Sequence, residues 1–403
     1  MDFDIIIIGA GPSGSSCASF LSKAGKKVLL LDRAKFPREK VCGDGISGRS
    51  VAVLQELGIL DLFDDVEHED MFGVTFSSPN GTVVPVSSKG KSKKPPGFVC
   101  RREVFDNIVF QHAKSLSTKT IENFIAQDLI IENDYVVGVK GTHNGKEMEF
   151  RAKVIVGADG AAGITARKLN AVNTDPNHQC SGIRCYYEGV EGMGDKIELH
   201  FVKEAIPGYF WIFPLPGKKA NIGMGMMVRD IKKHKINLQK VMFDIIESNP
   251  TFKWRFAKAK KTTEVKSWLL PYATKKVKAA GNGYVLVGDA SSLIDPFTGE
   301  GIGNALTSGK LAAETIIQAF KTNDFSEKSL SEYQTQLFSL IEGEVNSNYR
   351  MQKLSNNPFL LNLVIGRAAK SDYVKGVISD ALLNPQDHAK LVDPLFFVKA
   401  LFL

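Results

Sequence analysis

Residues 4–14 read Asp4–Ile5–Ile6–Ile7–Ile8–Gly9–Ala10–Gly11–Pro12–Ser13–Gly14, and no other stretch constrains the fold as tightly. Four isoleucines in succession have no polar face, so the strand they form is buried on both sides, as strands of parallel sheets are. The glycines that follow have the spacing Gly–x–Gly–x–x–Gly. In a strand-to-helix turn the first allows the tight bend, the second lets backbone approach a pyrophosphate, and the third lets the helix pack on the strand. Ser13 to Ala24 is expected to be that helix, ended by Gly25. Its N-terminus presents free N–H groups and a positive dipole end to phosphates. Lys27–Leu31 is the next strand, with Asp32 at its end and Arg33 beside it. A carboxylate there suits a ribose diol and repels a 2′-phosphate.

The glycine turn alone does not separate one dinucleotide from another. A second segment does: Tyr284–Val285–Leu286–Val287–Gly288–Asp289, running on to Pro296–Phe297–Thr298–Gly299–Glu300–Gly301–Ile302–Gly303. It reads as a buried strand ending in a carboxylate placed for a ribityl or ribose hydroxyl. Gly299, Gly301 and Gly303 then let a helix N-terminus approach a flavin ring edge, where its dipole stabilises an anionic reduced flavin. The two segments are read as two ends of one bound FAD. Arg102, at the start of the helix Glu103–Lys114, is placed either to reach the cofactor or on the surface.

A chain of 403 residues exceeds one ordinary domain. The expected fold is α/β. A discontinuous Rossmann-type FAD-binding domain (1–65, 100–170, 276–325) is interrupted by an antiparallel β-sheet domain for substrate (66–99, 171–275). A helical C-terminal region (326–403) follows, interrupted at Pro358, Pro385 and Pro394. Phe150–Val156 reads as one strand. The inserted sheet reads as Phe72–Ser77, Thr82–Val86, Ser181–Tyr187, Lys196–Val202, Gly208–Phe213 and Ala220–Val228. The five cysteines (Cys17, Cys42, Cys100, Cys180, Cys185) and seven histidines lack metal-ligand spacing. The chain is therefore expected to be reduced and cytoplasmic, with no metal. No apolar run reaches the roughly 18 residues that span a bilayer, and the N-terminus is not that of a secretory signal. The net charge of +7 gathers in lysine clusters. These read as solvated faces or as attraction to anionic lipid or a phosphorylated substrate. No nucleic-acid motif accompanies them.

Two further segments carry a resemblance. Lys40–Val41–Cys42–Gly43–Asp44–Gly45 resembles the Lys–x–Cys–Gly–Gly–Gly of the geranylgeranyl reductase family, with Asp44 replacing a glycine. Tyr209–Phe210–Trp211–Ile212–Phe213–Pro214 followed by Asn221–Ile222–Gly223–Met224–Gly225 resembles that family's Tyr–x–Trp–x–Phe–Pro … Asn–x–Gly–x–Gly. These reductases belong with the glutathione-reductase-type flavoproteins, which also include aromatic hydroxylases and flavin-dependent halogenases. The resemblance runs to about residue 325 and includes Val156–Gly157–Ala158–Asp159–Gly160 with Arg167. Tyr209, Trp211 and Phe213 alternate, so they share one face of a strand. If register permits, Gly223 and Gly225 lie across from them, leaving room for rings or a ligand.

The resemblance implies reduction of carbon–carbon double bonds in a prenyl chain carried by a lipid, quinone or isoprenoid diphosphate. Tyr209, Trp211, Phe213, Gly223 and Gly225 would line the substrate chamber. Cys42 and Tyr209 are the candidate proton sources, with Trp211 positioning the alkene. The electron donor would be NADPH or a ferredoxin. The alternatives are a flavin-dependent monooxygenase or halogenase, and an electron-transfer flavoprotein. The apolar segments Phe359–Ile365 and Pro394–Leu403 offer peripheral membrane contact, a cap on the substrate slot, or docking on the core.

Overall fold

The computed structural model describes residues 3–89, 94–383 and 390. A six-stranded sheet forms its base, in the order Ala280–Gly281, Tyr284–Leu286, Val154–Gly157, Ile5–Ile8, Val28–Leu31, Lys119–Ile121. All neighbours run parallel except the first pair. Ile5 and Ile7 face one apolar layer, with the helices Pro12–Lys23, Arg102–Leu116 and Ile302–Thr322. Ile6 and Ile8 face another, built on Phe124, Leu129, Val136 and Val139. Each isoleucine buried this way contributes roughly 1.5–3 kcal/mol. That second layer is a separate sheet of Phe124–Glu132, Tyr135–His143 and Lys146–Arg151.

The run Phe150–Val156 is not one strand but parts of two. Phe150 pairs antiparallel with Val139, whereas Val154–Gly157 joins the parallel sheet. The chain crosses from one layer to the next at Ala152 and Lys153, a change of partner that apolar periodicity does not register.

A larger sheet lies above. One path runs Lys260–Lys261, Gln179–Glu188, Lys219–Met227, Gly208–Leu215, Ile197–His200, Gly73–Ser77, Val83–Ser87, and Lys266–Pro271 also pairs with Gln179–Glu188. The expectation of an antiparallel sheet needs correction at one place: Ile197–His200 and Gly73–Ser77 run parallel. That pair is the seam between two distant pieces of chain. No hairpin joins them, so nothing local forces opposite directions. One face of this sheet buries Phe210, Ile212 and Met224 against Met242 and Phe252 of the helices Leu238–Ser248 and Pro250–Phe256. By strand alternation the opposite face carries Tyr209, Trp211 and Phe213.

The C-terminal part is helical as far as it is described, in Glu332–Leu354, Pro358–Ala368 and Asp372–Leu383. The helical run is interrupted at Pro358 as expected, and Pro358 opens the next helix with Asn357 as the cap. Ile365, Ala368, Val374 and Ile378 pack on Val84 and Val86 of the large sheet. Pro385, Pro394 and the apolar run to Leu403 lie outside the described residues. Among the described residues no helix is long and apolar enough to cross a membrane.

Candidate functional site

A cavity of ≈ 1420 Å³ runs between the two large sheets. It exceeds the roughly 300–1,000 Å³ of an ordinary small-ligand pocket. Of the residues singled out from sequence, Gly9, Gly11, Asp32, Arg33, Cys42, Arg102, Tyr209, Trp211, Phe213, Asp289, Gly299 and Gly301 border it. Gly14, Gly223, Gly225 and Gly303 stand behind that lining and act through what packs on them.

At one end is the glycine turn. Gly9 has φ +104°, and a Cβ there would lie 2.3 Å from the carbonyl oxygen of Ala158, so only glycine serves. A Cβ on Gly14 would lie 1.8 Å from the Gly9 oxygen. Gly11 differs: its Cβ would meet only the tip of Arg38, at 3.4 Å, and would project into open cavity. That space, at the start of a helix, is the cradle a pyrophosphate requires. Asp32 is fixed beside it, accepting from the backbone N–H of Ala10 at 2.6 Å and of Ala34 at 2.8 Å. The remaining lone pairs of its carboxylate suit ribose hydroxyls. These residues fit FAD. Arg102 also borders this region, but its guanidinium forks onto Asp106 at 2.6 and 2.9 Å, and Arg38 joins the same carboxylate at 2.9 Å.

The segment Gly288–Gly301 borders the same cavity through Asp289, Gly299, Glu300 and Gly301. Asp289 sits in the turn Gly288–Ser291 after the strand. The helix Ile302–Thr322 does not present a bare N-terminus: Glu300 accepts from the Gly303 N–H at 2.6 Å and from the Ser47 hydroxyl at 2.9 Å. Burial pushes the Glu300 carboxyl above its ordinary range. The loop before it is tied by Asp295, which accepts from the N–H of Phe297 and Thr298, and whose other oxygen takes the Asn348 amide at 2.6 Å. The helix Glu332–Leu354 thus fixes the loop that carries Asp295.

At the other end is the aromatic face. The register sets Trp211 opposite Gly223, Tyr209 opposite Gly225 and Phe213 opposite Asn221. A Cβ on Gly223 would lie 2.3 Å from the Trp211 indole, so the glycine makes room for the ring itself rather than for a ligand. Phe213 lies on Gly43 and Gly45, where a Cβ would come within 3.0 and 3.1 Å of it. The Tyr209 hydroxyl donates to the Thr298 carbonyl at 3.1 Å, tying the aromatic strand to the cofactor loop. Burial pushes the Tyr209 phenol well above its ordinary range.

Asp44 was noted from sequence only as a departure from the family pattern. In the structure it joins the two ends. Its backbone is left-handed, φ +70°, a conformation that favours glycine. Its fully buried carboxylate accepts from the Tyr186 hydroxyl at 2.6 Å, the Asn221 amide at 2.8 Å and the Arg102 N–H at 3.3 Å. Asn221 also donates to the Cys42 carbonyl at 2.7 Å and accepts from the Trp211 indole at 3.0 Å. Burial pushes the Asp44 carboxyl up, against the pull of these donors. Asp44 and Asn221 therefore set where Cys42 and Trp211 meet the cavity. Cys42 is half-buried, and all five cysteines are free thiols.

A family profile described as FAD binding domain matches residues 2–184, and one described as geranylgeranyl reductase catalytic domain matches residues 180–265. The chain is similar to a digeranylgeranylglycerophospholipid reductase of Methanocella arvoryzae, 30% identical over 88% of this chain and 87% of that one. Among solved structures it resembles a geranylgeranyl bacteriochlorophyll reductase-like protein of Thermoplasma acidophilum. There the TM-score is 0.84 and the identity 24%, over 96% of this chain and 98% of that one. A flavin-dependent brominase has the same fold, with TM-score 0.79 and 21% identity over 99% and 98%.

Proposed function

The chain belongs to the geranylgeranyl reductase family of FAD-dependent oxidoreductases, and from that premise we propose that it saturates carbon–carbon double bonds in the prenyl chain of a lipid, quinone or isoprenoid diphosphate. The observation that carries this reading is one continuous cavity with a dinucleotide cradle at one end and the Tyr209–Trp211–Phe213 face at the other. FAD, when bound, supplies hydride.

Gly9, Gly11 and the helix N-terminus receive the phosphates, Asp32 a ribose, and Asp289 with Gly299 and Gly301 the flavin end. Arg33 and Arg102 border the same region. An isolated alkene is barely polarised, so an oxyanion hole offers little. The protein must hold the double bond in place and exclude water. Trp211, pinned by Asn221, and Phe213, seated on Gly43 and Gly45, form a rigid apolar slot for that purpose. The second alkene carbon needs a proton. Cys42 is the first candidate; Tyr209 is the second, because its hydroxyl hydrogen is already directed at Thr298. The electron donor is NADPH or a ferredoxin. The work takes place in the cytoplasm at the membrane surface, where the helix Pro358–Ala368 presents Phe359, 72% exposed.

The test is anaerobic. FAD-loaded protein reduced with dithionite is mixed with a prenyl substrate and the product is analysed by mass spectrometry. A gain of two hydrogens per bond without oxygen is the expected result. Product that forms only when oxygen is admitted would assign the chain to hydroxylation or halogenation instead.

A further inference from the structure

Two strands across the sheet from Trp211, a second set of side chains reaches the same cavity. The register of Gln179–Glu188 with Lys266–Pro271 pairs Arg184 with Lys266 and Gly182 with Trp268. All four border the cavity, with Glu39 and Lys40. Arg184 is fully buried. Its Nη2 donates to Glu39 at 2.7 Å and weakly to the Lys40 carbonyl at 3.5 Å, and its guanidinium lies 4.5 Å from the Tyr186 ring centre. Its Nε and Nη1 are buried with no hydrogen-bond partner among the described residues, and the same holds for the indole N–H of Trp268. The Lys40 ammonium sits 3.8 Å from the centre of the Trp268 ring, with the Val41 carbonyl at 3.5 Å.

Cations gather here with few carboxylates close enough to pair, although Asp289 acts on Lys40 at longer range. Among the described residues Glu39 is the one carboxylate paired with this group, and it is shared between Arg184 and Lys266. Asp44 lies beyond Tyr186, whose hydroxyl it holds. Native structures keep few buried donors unpaired, and each asks for a partner. Room for one exists: a Cβ on Gly182 would meet nothing nearer than Leu270, at 3.4 Å, and Trp211, at 3.9 Å, so a notch lies two residues along the strand from the arginine.

We propose that this wall binds a phosphate or diphosphate group, seated at Gly182 and held by Nε and Nη1 of Arg184, the Trp268 N–H and the Lys40 ammonium. A guanidinium fork, a separate N–H and a compact ammonium match a tetrahedral anion with several oxygens. The group arrives either on the prenyl substrate or on a nicotinamide nucleotide donor. Anion binding stands on the geometry alone; the choice between these sources rests on the reductase reading.

The experiment uses FAD-loaded protein and calorimetric titration with inorganic diphosphate. Wild type should bind it, and Arg184→Gln should weaken binding roughly ten- to a hundredfold, the worth of hydrogen bonds to a charged group. Gly182→Val, which fills the notch where space exists, should abolish binding while keeping FAD, so a folding defect in Arg184→Gln does not blunt the test. Steady-state arms then identify the source. A KM raised for geranylgeranyl diphosphate but not for geranylgeraniol places the phosphate on the substrate. A KM raised for NADPH with either substrate places it on the donor. Diphosphate binding with no turnover of any prenyl compound would overturn the reductase reading and keep the site. No diphosphate binding by wild type, equal binding by Gly182→Val, or loss of FAD from that variant would overturn the site.

Discussion

Replacing Gly11 with alanine should move the empty and FAD-loaded protein in opposite directions. Gly11 has φ −68° and ψ −174°, extended backbone that alanine adopts freely. The added Cβ would touch only Nη2 of Arg38, at 3.4 Å, an ordinary van der Waals contact. The empty protein should therefore lose nothing, and gain about 0.4–1 kcal/mol from a less flexible unfolded chain. The methyl group, however, fills the cradle. Pushing a pyrophosphate off one charge-assisted N–H contact costs about 1.5–3 kcal/mol, which raises the Kd for FAD roughly ten- to a hundredfold. With FAD in excess, ligand-derived stability falls by that same amount. Melting curves with and without FAD should thus cross, the variant melting higher when empty and lower when loaded. Fluorescence-quenching titration gives the Kd directly. Gly14→Ala is the contrast: a Cβ placed 1.8 Å from the Gly9 oxygen forces the helix off the strand, and the empty protein itself should lose about 1–3 kcal/mol or more. A Gly11→Ala protein that melts lower when empty, or that binds FAD as tightly as wild type, would refute the reasoning.

Trp211→Ala should cut turnover of a prenyl substrate far more than FAD content; joint loss of FAD and of fold would make the ring a core residue instead. Cys42→Ser should slow alkene reduction in single turnover while flavin reduction by the donor stays normal, and unchanged product formation would remove the thiol from the proton path. Asp44→Gly relieves a left-handed residue, worth about 1–2 kcal/mol, but loosens the unfolded chain at about 0.4–1 kcal/mol and strands the Tyr186 hydroxyl and Asn221 amide at about 1–3 kcal/mol each. It should lower the melting temperature and slow single turnover with FAD retained, and a variant that melts no lower than wild type would show that the network carries no stability. Burial holds the Lys40 ammonium down to about 8 from 10.5. Between those values the unfolded chain carries a proton the folded one lacks, so wild type gains on Lys40→Met as pH rises and loses that gain as pH falls through 8. Denaturation at pH 7 and pH 10.5 should find the variant's relative advantage at the lower pH only.

The cofactor half of the molecule was legible because its signals are local. Ile5–Ile8 declares burial on both faces, and the glycine spacing that follows is a local signal, although Gly9 answers to Ala158, just past the end of a neighbouring strand, as well as to its own turn. The aromatic alternation of Tyr209, Trp211 and Phe213 likewise follows from period. What sequence did not yield depends on partners far apart. Asp44 meets Tyr186 across 142 positions and Asn221 across 177. Nothing in Asp44 itself announces this, apart from its departure from a glycine. The sequence alone assigns Glu300 no role, yet its carboxylate accepts from the Gly303 N–H at the start of the helix that those glycines precede. At Gly223 the sequence left two occupants open, rings or a ligand, and the first of them, the Trp211 indole, takes the space. The parallel seam at Ile197–His200 depends on how two chain pieces meet, which no window of residues records.

The order of strands in the lower sheet also sets a timetable. Val154–Gly157 lies between Ile5–Ile8 and Tyr284–Leu286, and Ile155 is 129 residues before its partner Tyr284. At a ribosomal pace of roughly 5–20 residues per second that interval is about 6–26 seconds. Throughout it the nascent chain carries an apolar strand with an open edge, the kind of surface that pairs with other chains. Synthesis of the upper sheet, apart from Gly73–Ser77 and Val83–Ser87, fills the same interval. Slowing translation within residues 158–283 should therefore lower the soluble yield more than slowing it after residue 290.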